Sequence, residues 1–183
     1  SVDRSDLIKK SALETYTDND PIWLKVARKE LEANIVEGKN SSNPRIVEYL
    51  STCTDLSPVD KNDDGTAWCS AFANWCFRIA GIKGTNSAWA LSWKSWGQAD
   101  TSPSRGSLAV WERYEEQEGK LKLLGGHVSF LIADHGQQLE VLGGNQGDAV
   151  SERLYPKDGY VADTVQRGIR KKNKYKLLGY RKP

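Results

Sequence analysis

The chain has no methionine, and among its 183 residues it has only three cysteines (Cys53, Cys69, Cys76), two histidines (His127, His135), three phenylalanines and six prolines. Three cysteines make no disulfide framework, and without paired CxxC motifs they make no structural zinc site. No apolar run approaches the roughly 18–20 residues of a membrane-spanning helix. No stretch has the charged, apolar, small-residue order of a secretory signal peptide. Without a methionine, Ser1 reads as a processed or trimmed end, which leaves room for a leader ahead of it. No sequence repeat recurs at a period of roughly 20–50 residues. What is present is ordinary for a globular domain: 38% hydrophobic and 27% charged residues. The length suits one domain, 1–183, large enough to bury roughly 70% of the surface its unfolded chain exposes.

Basic and acidic residues nearly balance, at 26 and 24. Their distribution does not. Residues 164–183 hold Arg167, Arg170, Lys171, Lys172, Lys174, Lys176, Arg181 and Lys182 and no acid, so the rest of the chain is net acidic. A basic end can attract a polyanion, but a solvated surface loop is the more ordinary reading, and nucleic acid is not an expected partner.

Residues 1–20 read as a polar N-terminal extension. Asp20-Pro21 signals a helix start, with Trp23, Val26, Ala27 and Leu31 at helical spacing and an end by Gly38. Asn43-Pro44 starts a second, short helix. Residues 51–66 read as an irregular loop, a third helix should run from about Trp68 to Ala80 with Gly81 closing it, and a fourth from Ser87 to Trp96. The fourth carries Trp89, Trp93 and Trp96 on one stripe. That stripe reads first as a core face and second as a sugar-stacking platform, with Trp89 and Trp93 the candidate substrate contacts. Beyond Gly97 the pattern turns to strands at Leu108–Trp111, His127–Asp134, Gln138–Leu142, Val150–Tyr155 and Leu177–Arg181. Helices followed by an antiparallel sheet predict one α+β domain. Residues 156–176 read as a long, mobile, basic insertion before the last strand.

Cys69 is placed at the start of the third helix, where free N–H groups and the helix dipole favour a thiolate and lower its pKa. Cys76 lies mid-helix on the apolar stripe and reads as inert core. Cys53 lies in a loop, free or paired with Cys76. A thiol nucleophile needs a base. His127 opens the clearest strand behind Gly125-Gly126, whereas His135 sits at a hairpin tip and reads as merely exposed. A three-residue loop at that tip would pair positions summing to 272 and set Asn145 opposite His127, whereas a two-residue loop would put it on the other face, and a bulge in the glycine-rich 143–147 segment could correct either register; Asn145 could then orient the ring, with Gln146 or Asp148 as substitutes.

Three segments carry a resemblance: Trp68-Cys69-Ser70-Ala71-Phe72-Ala73-Asn74-Trp75, Gly125-Gly126-His127-Val128-Ser129-Phe130 and Leu142-Gly143-Gly144-Asn145-Gln146. In that order, with the closing Leu178-Gly179-Tyr180-Arg181, they resemble the papain-like cell-wall cysteine hydrolases of the NlpC/p60 superfamily and the related CHAP amidases. Two features depart from the NlpC pattern: Trp-Cys-Ser-Ala stands for Asp-Cys-Ser-Gly, and Asn stands where many of those enzymes have a third His. The resemblance implies a papain-like α+β fold and hydrolysis of an amide bond in peptidoglycan, either within stem peptides or between sugar and peptide. Cys69 would be the nucleophile, His127 base and then acid, Asn145 the orienting residue, and Trp68 and Gln146 oxyanion or supporting residues, with the Cys69 N–H stabilising the oxyanion. No metal or cofactor is implied. Action in the periplasm or cell wall follows, by secretion or delivery. With no second wall-binding module visible, an antibacterial effector with a cognate immunity protein is expected ahead of a phage or host lysis enzyme. A deamidase or transferase acting on proteins, and a non-catalytic wall-binding module, are the readings from other classes.

Overall fold

The computed structural model describes residue 17 and residues 19–166 and 169–183, with side chains described outside 163–170. Most of the expected N-terminal extension lies outside the described residues. Helix α1 (Ile22–Glu32) buries Leu24, Ala27 and Leu31. Asp20 does not cap it. Its carboxylate accepts from the Thr17 N–H and binds the Arg105 guanidinium across the fold. The helix stops short of Gly38 because Asn34 turns left-handed and Val36 leaves to pair with Ala149. Helix α2 (Pro44–Leu50) starts as the sequence signals, with Asn43 accepting from the Arg45 N–H. The loop expected over 51–66 contains one short helix, α3 (Pro58–Lys61), capped by Ser57. Helix α4 (Cys69–Ile79) begins at the nucleophile candidate and ends before Gly81, whose φ of +79° suits a helix terminus.

The fourth expected helix is a 3₁₀ helix, Ala90–Ser95. Three residues per turn place Trp93 and Trp96 on one side, with ring centroids 4.8 Å apart, while Trp89 points to solvent at 60% exposure. Trp93 is fully buried and donates its Nε1–H to Ser70 Oγ, which in turn donates to the Ser87 carbonyl. It is therefore a core residue, and the expectation of a substrate contact there is corrected. The cause is the change of helical period, which breaks the single tryptophan stripe.

Among the described residues the sheet is antiparallel throughout and has seven strands. They are β1 (Gln98–Ala99), β2 (Leu108–Gln117), β3 (Lys120–Asp134), β4 (Gln138–Gly143), β5 (Ser151–Pro156), β6 (Asp158–Gln166) and β7 (Ile169–Lys182). The order is β1-β7-β2-β3-β4-β5, with β6 on the same long β7. The basic segment is thus no loop: β6 and β7 form a hairpin, and β7 is also paired to β2 from Leu108↔Arg181 to Glu115↔Asn173. Alternation of lysines with Asn173, Tyr175 and Leu177 is the signature of a half-buried strand, which charge density hid. Lys171 pairs with Glu115 and Lys174 with Asp158.

One face of the sheet carries the main core, built from α1, α2, α4, the 3₁₀ helix and Leu108, Val110, Val128, Phe130 and Leu142. The other face carries a smaller aromatic core of Trp111, Tyr155 and Tyr175 with Leu131, Leu139 and Val141. Among the described residues, no helix is long and apolar enough to cross a membrane.

Glu152 is buried opposite Leu142 on the helix-facing side of β5. Burial, and then the Glu140 carboxyl beside it, push its pKa well above the ordinary value of 4.5, against the pull of Arg105. A folded-state pKa above the unfolded one means that the native state keeps a proton the unfolded chain has lost. Stability therefore falls as pH rises from about 5 toward the folded pKa. Glu152→Gln should remove this loss. The thermal midpoint of the wild type is expected to drop relative to the variant between about pH 5 and pH 8; parallel midpoints across that range would show that Glu152 ionises normally.

Candidate functional site

Two glycine contacts bring the helical half and the sheet together at one point. A Cβ on Gly144 would stand 2.5 Å from Phe72 Cβ and 2.9 Å from Trp68 Cε3, so the chain leaving β4 lies flat on the first turn of α4. A Cβ on Gly126 would stand 2.6 Å from Leu91 Cδ2 and 2.5 Å from the Trp111 carbonyl, which holds the 3₁₀ helix against the start of the His127 stretch. Cys69 and His127 thereby line the same cleft, of about 220 Å³, together with Glu37, Arg113, Asn145, Asp148, Arg153, Tyr155 and Tyr175 among others.

Strand β4 ends at Gly143, before it reaches the level of His127 and Val128 on β3. On that edge the Val128 N–H is left out of the ladder and donates to the Cys69 sulfur. The nucleophile candidate is thus seated on the residue next to the base candidate. Burial nevertheless dominates its ionisation. Desolvation pushes the Cys69 thiol above its ordinary value, outweighing the N–H groups of Val128 and Ser70, its own N–H and the Arg113 charge. This corrects the expectation of a lowered pKa: the helix terminus is present, but burial outweighs it. Cys53 and Cys76 are also buried and free, each with its pKa raised, Cys53 to about 11.

The orienting contact falls on Gln146. Its Oε1 lies 2.9 Å from His127 Nε2, and both residues are buried. The Gln146 amide nitrogen donates to the carbonyls of Ser151 at 2.8 Å and Val141 at 3.4 Å. With the NH₂ group committed to two carbonyls, Oε1 must face the imidazole as an acceptor, so His127 carries its proton on Nε2. The Nδ1 lone pair is then the basic one. Asn145 lines the cleft in a left-handed conformation, φ 57°. The expected pairing is real past a bulge at Ile132, where Phe130 faces Leu142, but β4 ends before position 145 and the turn swings the next side chain toward the ring. Gly143 permits this, since a Cβ there would stand 2.8 Å from Gln146 Oε1.

Trp68 is fully buried behind the cleft, stacked on Tyr49, and its Nε1–H donates to Glu37 Oε1 at 2.9 Å. It supports a cleft residue and does not itself line the cleft; neither do Trp89 and Trp93. His135 is half exposed at the β3–β4 tip, as expected. Sequence reading missed the aromatic box around His127. Tyr155 stacks on its ring at 4.7 Å, Trp111 lies at 5.9 Å, and Tyr175 meets it edge-on at 6.2 Å. The residue types were a signal: three large aromatics occupy inward positions of three strands, but one of those strands had been read as a basic loop. Such a box holds the imidazole in one plane and can stabilise its cationic form. Chemically, the site offers a buried thiol, an imidazole with a fixed tautomer, and N–H groups at a helix start where negative charge can develop. Among the described residues no three His, Cys, Asp or Glu side chains gather to hold a metal ion.

Helix-borne cysteine packed on an antiparallel sheet with histidine and an amide side chain is the papain-like α+β arrangement. The family model of the CHAP domain matches residues 61–145, a stretch that runs from the end of α3 through Cys69 and His127 to Asn145 and stops one residue before Gln146. CHAP domains are typically cysteine- and histidine-dependent amidohydrolases that act on the cell wall. No curated protein and no solved structure gives a significant match to the chain.

On the native protein, iodoacetamide should label Cys69 ahead of Cys53 and Cys76, because Cys69 borders the cleft while the other two are fully buried. Its alkylation rate should keep climbing past the free-thiol value of about 8.5. A plateau already reached near pH 6 would instead reveal a resting thiolate–imidazolium pair.

Proposed function

We propose that this protein hydrolyses an amide bond of peptidoglycan through Cys69, His127 and Gln146. The observation that carries the reading is the chain of contacts from the Ser151 carbonyl through Gln146 to His127 Nε2, beside a Cys69 sulfur that accepts from the neighbouring Val128 N–H. His127 Nδ1 takes the thiol proton as Cys69 attacks the substrate carbonyl, so that charge is created only when substrate has displaced water from the cleft. The N–H of Cys69 at the start of α4 supports the oxyanion. His127 then protonates the leaving amine and later activates water to release the acyl group. Asn145 is a cleft residue beside the reacting bond. Trp89, the exposed member of the tryptophan series, is the aromatic available to stack on a sugar beyond the cleft rim. The substrate class places this action in the cell wall or periplasm.

The test is mass spectrometry of fragments released from purified sacculi. Wild type should release new amine termini, and Cys69→Ala and His127→Ala should each cost about 10³-fold or more in rate, with the double variant little worse than either. Gln146→Ala should lower kcat with a small change in KM, and Asn145→Ala should cost less than Gln146→Ala. Unchanged release by Cys69→Ala would remove the reading.

A further inference from the structure

Strand β5 meets the site through Ser151. The Ser151 carbonyl accepts from Gln146 Nε2 at 2.8 Å, its hydroxyl donates back to the Gln146 carbonyl at 2.7 Å, and the Gln146 N–H is bonded to the Ala149 carbonyl at 3.0 Å. These bonds hold the side chain whose Oε1 lies against His127 Nε2. Ser151 faces Gly143 on β4. The next residue, Glu152, faces Leu142 and points to the opposite side of the strand. Glu152 is 7% exposed, and among the described residues no N–H or O–H group donates to either of its carboxyl oxygens. What meets it is the carboxyl of Glu140, on the same face of β4. The other charge that bears on it is Arg105, whose guanidinium binds both oxygens of Asp20 and reaches the Ile132 carbonyl at 3.4 Å. Arg28 on α1 also attracts Asp20, and His135 Nε2 stands 3.9 Å from Glu140 Oε2. A carboxylate buried without a donor is costly, and a second carboxylate beside it adds to the cost. One proton between Glu140 and Glu152 relieves both, since a protonated carboxyl donates to its ionised neighbour. Burial first, and the Glu140 charge second, accordingly raise the Glu152 pKa.

Building on the Cys69, His127 and Gln146 reading above, we infer that Glu152 is a positioning residue for His127, because β5 presents Ser151 to Gln146 only while Glu140 and Glu152 share one proton. Neither carboxyl touches the reacting atoms. Their effect runs through the backbone of β5 to Ser151, from Ser151 to Gln146, and from Gln146 to the imidazole. In water Glu152 is an ordinary acid and is ionised at neutral pH. An opening of β5 that frees the Ser151 bonds therefore also releases one proton, and such openings become about tenfold more frequent with each pH unit. When the bonds are lost the imidazole loses its fixed tautomer, so the base of the reaction is weakened by an ionisation on the far side of the strand.

The test is hydrogen exchange of the Gln146 amide, followed by NMR from about pH 6 to about pH 8 in wild type, Glu152→Gln and Glu140→Gln. Base catalysis alone raises exchange about tenfold per pH unit, and the released proton should add another factor of about ten per unit in wild type only. In Glu152→Gln no proton is released, and in Glu140→Gln the new amide donates to an ionised Glu152, so both variants should keep the base-catalysed slope. Equal slopes in all three proteins would overturn the inference. So would equal wild-type exchange rates at Gln146 and at the core strand residue Val110, since the proton would then be lost only on global unfolding. A catalytic readout separates positioning from stability: between about pH 7 and about pH 10, wild-type kcat on soluble peptidoglycan fragments should fall about tenfold relative to Glu152→Gln, with KM little changed. A constant kcat ratio would overturn the positioning role. If wild type cleaves nothing, the amide-hydrolase reading falls, and the exchange slopes still decide whether Glu152 holds Gln146. Glu140→Gln keeps the comparison standing if Glu152→Gln does not fold.

Discussion

Gly144 lies against Phe72 and Trp68 with no room for a side chain, and this contact fixes where the first turn of α4 meets the sheet. Much of the site follows from it. Because the chain leaving β4 is pressed onto α4 at that point, the strand ladder stops at Gly143 and the β3 edge at Val128 is left open. The open edge is where the Cys69 sulfur sits. The same turn carries Gln146 under the His127 ring, and the Gln146 N–H and Ser151 hydroxyl tie it down from the other side. A single close approach therefore sets the nucleophile and the orienting amide relative to one histidine, without any long-range ion pair.

Burial governs the nucleophile candidate at rest. Cys69 is desolvated and its pKa raised. A dry thiol is a weaker nucleophile at rest than one at an exposed helix start. The arrangement compensates with a fixed tautomer. Gln146 can only accept from His127, so the basic nitrogen does not have to be found by ring flipping or proton exchange. The aromatic box then favours the imidazolium once it forms, since Tyr155 stacks its ring face on it.

Cysteine at a helix start, histidine at a strand start and a polar side chain after Gly143-Gly144 were legible in the sequence because each follows from a local rule: capping, alternation and turn chemistry. The identity of the third residue was not. Its choice between Asn145 and Gln146 depends on a bulge at Ile132 and on where β4 stops, and both are set by packing against α4. The tryptophan stripe failed for a similar reason, since a 3₁₀ period replaced the α period once Trp93 was drawn to Ser70. The basic segment was misread because exposed lysines on one face of β7 mask the alternation that buries Asn173 and Tyr175 on the other.

That misreading has a functional side. With the segment folded as β7, Tyr175 stands edge-on to His127 and borders the cleft, so the lysines around it belong to the same rigid sheet as the site. Lys171 and Lys174 are held by Glu115 and Asp158, which limits their reach toward an external polyanion. The cation whose charge reaches the Cys69 sulfur is instead Arg113, which lines the cleft with the histidine. With burial raising the Cys69 thiol against that charge, activating it falls to a neighbouring base, and His127, its Nε2 held by Gln146 and its ring stacked by Tyr155, lines the same cleft.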